Sequence, residues 1–201
     1  MQRYEFFSIF VLYNIVNMEQ LSKGTMWNTA GKAGLALAAA STAYLFANQF
    51  MSQAEIPAFL NSILGFVLWA AKFVGCIWIM KFFMKEYVSK NRVTGNGSTF
   101  RLGVMMALLS AILYSGAAFA NVAFISTDLF DEQMAAMMQQ MAPMMDSNTM
   151  SMMDTYMENL PQITFVSNFI YCFIFGTVLS YILSRNIPSK DPFAEYKPDE
   201  Q

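Results

Sequence analysis

Apolar residues in this chain run together in long blocks instead of alternating with polar ones at the spacing of a soluble helix or strand. Four blocks are long enough to cross about 30 Å of hydrocarbon, which takes about 20 helical residues. Residues 102–125 and 162–184 contain no charged side chain, residues 56–80 contain one, Lys72, and residues 33–51 are alanine-rich and only moderately apolar. The pattern predicts an all-α fold: an integral membrane bundle of four transmembrane helices spanning residues 31–184. A segment of residues 1–30 precedes it, and a polar tail, 185–201, follows. The 56% hydrophobic and 13% charged composition of the 201 residues agrees, because so large an apolar excess needs a lipid neighbour.

Charge orients the blocks. Lys81, Lys85, Lys90, Arg92 and Arg101 lie between the second and third spans against a single Glu86, while Arg3, Lys23 and Lys32 precede the first and Arg185, Lys190 and Lys197 follow the fourth. The connection at Glu55 and the longer one, residues 126–161, have no lysine or arginine; the longer carries Asp128, Asp131, Glu132, Asp146, Asp154 and Glu158. Basic flanks stay on the cytoplasmic side, so both termini are expected inside and the long loop outside. Four crossings satisfy this alternation.

Small residues recur every four positions at Gly103, Ala107, Ala111 and Ser115, at Ala36, Ala40, Ala43 and Ala47, and at Gly176, Ser180 and Ser184. Such faces let helices approach closely in lipid, within one bundle or between protomers, so oligomers are compatible with the pattern. The apolar stretch from Phe6 to Val16 is too short to span and lacks a small-residue cleavage site. Two readings stay open for residues 1–17: a surface-lying segment, or an extension ahead of a translation start at Met18.

The long loop predicts an extracytoplasmic amphipathic helical hairpin. Asp128 is placed to cap its first helix, with Phe130, Met134, Met137, Met141 and Met144 forming an apolar stripe. Pro143 and Asp146-Ser147-Asn148 would break it, and Met150, Met153, Met157 and Leu160 would line a second helix. Ten of the chain's 18 methionines fall between Met134 and Met157. Their flexible thioethers suit an irregular apolar boundary or a partner's surface. The competing reading is Cu(I), a soft ion that accepts thioether sulfur, with Met134, Met137, Met138, Met141, Met150 and Met153 as candidate ligands at i, i+3 spacing. Any amphipathic helix produces the same spacing.

Lys72 is the other candidate. An ionisable residue within a span is costly and therefore a functional candidate, though its stem could also snorkel toward the cytoplasmic headgroups beyond Lys81. Enzymatic chemistry is not expected, and no catalytic residue or cofactor is assigned. The sequence has no histidine to act as general base or metal ligand. Cys76 and Cys172 stand singly in apolar runs and read as packing residues. Gly95-Asn96-Gly97-Ser98 reads as a turn before the third span, not a phosphate cradle. A net charge of −2 without a basic cluster away from the membrane flanks argues against nucleic acid as a partner.

Several segments in this order, "GKAGLALAAAS", "GSTFRLGVMMALLSAILYS", "NVAFISTDLFDEQM" and "IFGTVLSYILSR", resemble the bacterial membrane family known as domain of unknown function 4199, over roughly Met18 to Arg185. The resemblance implies four spans, a long outward loop between the third and fourth, and a bacterial inner-membrane location; it supplies no catalytic residues. The functional expectation is a non-enzymatic structural or interaction component that meets lipid, and a membrane or envelope protein, through its outer loop. The alternative is a small transporter or channel using Lys72 and the methionines.

Overall fold

The computed structural model describes residues 2–54, 57–91, 96–141 and 146–187, without the side chains of 2–23, 58, 147, 148 and 154. The connection at Glu55, the residues Gly95, Pro143 and Met144, the side chains of Arg3 and Lys23, and the tail from 188 onward lie outside the described residues.

Among the described residues six α-helices follow one another: α1 (Gln2–Gln53), α2 (Ala58–Asn91), α3 (Asn96–Ala120), α4 (Thr127–Met141), α5 (Ser147–Glu158) and α6 (Leu160–Asn186), with a wide π-helical turn, Asn121–Ile125, between α3 and α4. Among the described residues three segments are long and apolar enough to cross a membrane: Phe59–Asn91, Asn96–Ile125 and Leu160–Asn186. These mark the chain as a membrane protein. The segment expected as the first span is instead part of the 52-residue α1, whose alanine, glycine and hydroxyl side chains keep its hydropathy below that of the other three.

Each apolar helix also outruns its sequence-predicted block, since a helix needs no apolar side chains to continue beyond the hydrocarbon. Asn96, Gly97 and Ser98, expected in a turn, already form the first turn of α3.

α3 is the central helix. It packs extensively against α6 and α1, while α2 rests mainly on α1 and meets α6 only sparsely. The stripe Gly103, Ala107, Ala111 and Ser115 explains this position, for all four residues are buried. A Cβ added at Gly176 would stand 2.6 Å from the Ala107 Cβ, and one at Gly103 would stand 2.8 Å from the Ser180 Cβ. α3 and α6 therefore meet almost backbone to backbone. Gly34 makes the matching approach of α1 to α3, with Leu109 Cβ 2.8 Å from the position a Cβ would take. On α1 the buried stripe is Ala30, Ala33, Leu37, Ala38 and Ser41, not the predicted Ala36, Ala40, Ala43 and Ala47. Nearly every position there is small, so spacing alone selects the wrong face.

At the end marked by Lys81, Lys85, Arg101 and Arg185 the bundle closes on a dense cluster. Met80, Met84, Leu102 and Met106 are at most 2% exposed and gather with Ala33, Leu37, Tyr87 and Leu183.

The opposite end is polar. The Ser126 N–H donates to the Asn121 carbonyl at 2.8 Å, closing the wide turn, and the Ser126 hydroxyl donates to Asn121 Oδ1 at 3.1 Å. Gln49 Nε2 of α1 donates to the Ser126 hydroxyl, tying the turn to α1.

α4 and α5 stand where the helical hairpin was expected. Asp128 lies inside the first turn of α4, where its charge complements the helix dipole, and is not a cap. Asp146 does not simply break a helix; it caps α5, accepting the Thr149 N–H at 2.8 Å. Among the described residues α4 meets the π-helical turn and α5 meets α6, and the two are not paired along their length.

Candidate functional site

Lys72 stands about 21 Å along α2 from Ala58 at 1.5 Å per residue, well inside the apolar run. It does not snorkel to the basic end. Its ammonium turns into the bundle, 4.8 Å from the ring centre of Tyr44 on α1 and 4.9 Å from that of Tyr114 on α3. The helix packing dictates this arrangement: α2 leans on α1, and α3 presents Tyr114 beside Ala111 and Ser115 of its small-residue stripe.

Among the described side chains of α1, α2, α3 and α6 the only carboxylate is Glu86, which pairs with Lys90 at 2.6 Å. A cation at the centre of a membrane helix costs about 2.5–3.5 kcal/mol on insertion scales, and a desolvated ring face returns up to about 2 kcal/mol. Two rings can thus balance the charge. They cannot supply the lone pairs that three ammonium hydrogens seek.

Lys72 opens onto a cavity of about 90 Å³ in contact with all four long helices. Trp69, Phe73, Phe175 and Leu179 form an apolar wall, and Ser41, Ser110, Cys76 and Cys172 add small polar atoms. That volume exceeds what one water requires several-fold. The two cysteines line this space instead of filling a close-packed core, and the Ser41 hydroxyl lies 3.9 Å from the Cys76 sulfur. Where α2 and α6 flank the cavity they are bridged by one ring pair, Phe73 on Phe175 at 5.1 Å, with Trp69 and Tyr171 exposed beside it.

A second cavity, about 330 Å³, lies one turn farther toward the acidic end, lined by Asn48, Gln49, Asn121, Gln133, Thr164 and Asn168 together with apolar residues including Leu45 and Phe130. No charged side chain among the described residues lines it. Asn121 is 3% exposed, and the Gln49 Oε1 is buried without a hydrogen-bond partner among the described residues. Sequence reasoning missed both this cluster and the tyrosine pair. The available signal was carboxamides inside apolar runs, at Asn48-Gln49, Asn121 and Asn168.

The methionine candidates are divided. Met134, Met137, Met138 and Met141 belong to α4, whose described side chains are all at least partly exposed, and Met150 and Met153 belong to α5. The six thioethers share a face only within their own helix. Among the described residues no three His, Cys, Asp or Glu gather into a metal site.

Fold and site together define a helical membrane protein with a polar pocket and a lysine-bearing cavity buried among apolar helices. Within that class the chain belongs to the family described as Protein of unknown function (DUF4199), which matches residues 29–185. No curated protein and no solved structure matches it.

Proposed function

We propose that this protein is a non-enzymatic, multi-pass component of the bacterial inner membrane that presents α4 and α5 on the outer side to a partner protein. In this reading α1 supplies the fourth crossing, the basic ends of α2, α3 and α6 face the cytoplasm with both termini, and the acidic end faces outward.

The observation that carries the reading is the free apolar face of the α4–α5 segment. Met137 and Met141, one turn apart on α4, and Met150 on α5 are 38–43% exposed, and α4 buries none of its described residues. Between residues 126 and 161 the chain has six acids and no base. An apolar stripe with an acidic rim fits an apolar surface rimmed by basic residues, and methionine adapts to such surfaces. The same charge disfavours anionic lipid as the main contact.

Photo-crosslinkers placed at Met141 and Met153 in intact cells test this. The expected result is one reproducible protein adduct that falls several-fold when Asp131 and Glu132 are replaced by lysine. Adducts to lipid alone would overturn the partner reading.

The transport alternative, with Lys72 and the methionines handling an ion such as Cu(I), draws on the cavity at Lys72. The dense methionine and leucine cluster between that cavity and the basic end favours binding over conduction. Solute flux in liposomes holding intact protein would reverse that preference.

A further inference from the structure

The Lys72 cavity combines features that the α4–α5 segment does not use and that packing alone does not explain. It holds a cation whose described partners are two aromatic rings and no hydrogen-bond acceptor. Its wall is mainly apolar, from Trp69, Phe73, Phe175 and Leu179. It borders the sparsest seam of the bundle, α2 against α6, where Trp69 is 47% and Tyr171 62% exposed on the surface that meets lipid.

A ligand that completes this site carries one anionic acceptor group for the ammonium and an apolar body for the aromatic wall. Access from water at the acidic end is disfavoured for an anion, because Asp128, Asp131 and Glu132 stand on the first turns of α4 beside the amide-lined cavity. Access from the bilayer faces no such charge. An acyl carboxylate dissolved in lipid meets both demands: its chain is already in hydrocarbon, and its carboxylate gains a charge-assisted hydrogen bond.

We propose that the bundle binds a long-chain carboxylate from the bilayer, admitted laterally between α2 and α6 and held with its carboxylate on Lys72. Ser41 and Ser110 stand in the same cavity and can donate to the second carboxylate oxygen. The ring pair Phe73–Phe175 forms the closure that the chain must part or pass.

Trp69 serves as the reporter. In full-length protein carrying Trp27→Phe and Trp78→Phe, reconstituted in nanodiscs of zwitterionic lipid, Trp69 emission is followed against 9,10-dibromostearate and against its uncharged methyl ester. Dibromostearate is expected to quench saturably at a mole fraction at least 10-fold below that of the ester, and unlabelled stearate to reverse it. Lys72→Met is expected to abolish the difference and Lys72→Arg to retain most of it, with both variants checked for normal size and helicity.

Equal quenching by acid and ester in the Lys72 protein overturns the proposal without reference to any variant, as does failure of stearate to compete. Displacement by acetate at the same concentration as stearate would show a site for small soluble carboxylates and overturn the bilayer source. An unchanged difference in Lys72→Met would move the site elsewhere.

Discussion

The two ends of the bundle are built on opposite terms. At the basic end Met84, Leu102 and Met106 are fully buried in a dense cluster. From Met80 toward the acidic end the same helices line two cavities, one of about 90 Å³ reaching up to Lys72 and one of about 330 Å³ beyond it, and polar groups bond beside the second through Gln49, Ser126 and Asn121. Close approach of backbones at Gly103 and Ser180 holds the first region, while Gly176 and Ala107 meet beside the smaller cavity. At the level of Lys72 the larger rings of Tyr44 and Tyr114 stand between α1, α2 and α3. The lesson is that stability and any ligand chemistry are segregated along the bundle axis, so mutations at the two levels should separate them.

The largest effect is expected in the dense end. Met106→Ala should lower stability by about 2–5 kcal/mol, as large-to-small changes in close-packed interiors do, measured by thermal or denaturant unfolding in bicelles. Gly176→Val should cost about 1–3 kcal/mol by overpacking, because its Cβ would fall 2.6 Å from that of Ala107; an unchanged melting temperature would refute the backbone contact of α3 with α6. Asn121→Ala should cost less, about 1 kcal/mol for a hydrogen bond within the polar cluster, and should loosen the start of α4 in amide exchange. Met137→Ala, on an exposed face, should stay within about 0.5 kcal/mol.

A subtler effect separates α5 from the bundle. Accepting the hydroxyl and backbone N–H of Thr149 holds the Asp146 carboxyl below the usual carboxylate range. The cap is therefore intact at and above the ordinary aspartate range and is lost as pH falls through the lowered value. Amide-exchange protection of Thr149 should fall over that acid window and be absent throughout in Asp146→Ala, while protection in α3 should be unaffected by either.

Much of the scaffold is legible in the sequence for physical reasons. Charge-free blocks such as 162–184 can be stable only in an apolar medium, and the four-residue repeat from Gly103 to Ser115 marks the contact face of α3, because only small residues permit such approach. On α1 the same rule fails: where nearly every position is small, composition no longer distinguishes a packed face from a free one. The setting of Lys72 was also hidden. A lysine in an apolar run can snorkel or turn inward, and which it does depends on Tyr44 and Tyr114, whose juxtaposition arises only when α1, α2 and α3 meet. The amide cluster fails to register for the same reason, being drawn from three helices and a π-helical turn with no periodic signature.

The contrast between the two ends is tested most directly by thiol accessibility. With Cys76 and Cys172 replaced by alanine, single cysteines at Asn168, in the polar cavity, and at Met84, in the dense cluster, are exposed in oriented vesicles to a membrane-impermeant thiol reagent from each side. The cysteine at position 168 is expected to react from the side of the acidic end at least 100-fold faster than the one at position 84, which should resist modification from both sides. Equal rates, or ready labelling at position 84 from the side of the basic end, would contradict a bundle closed at its basic end and hollow toward the other.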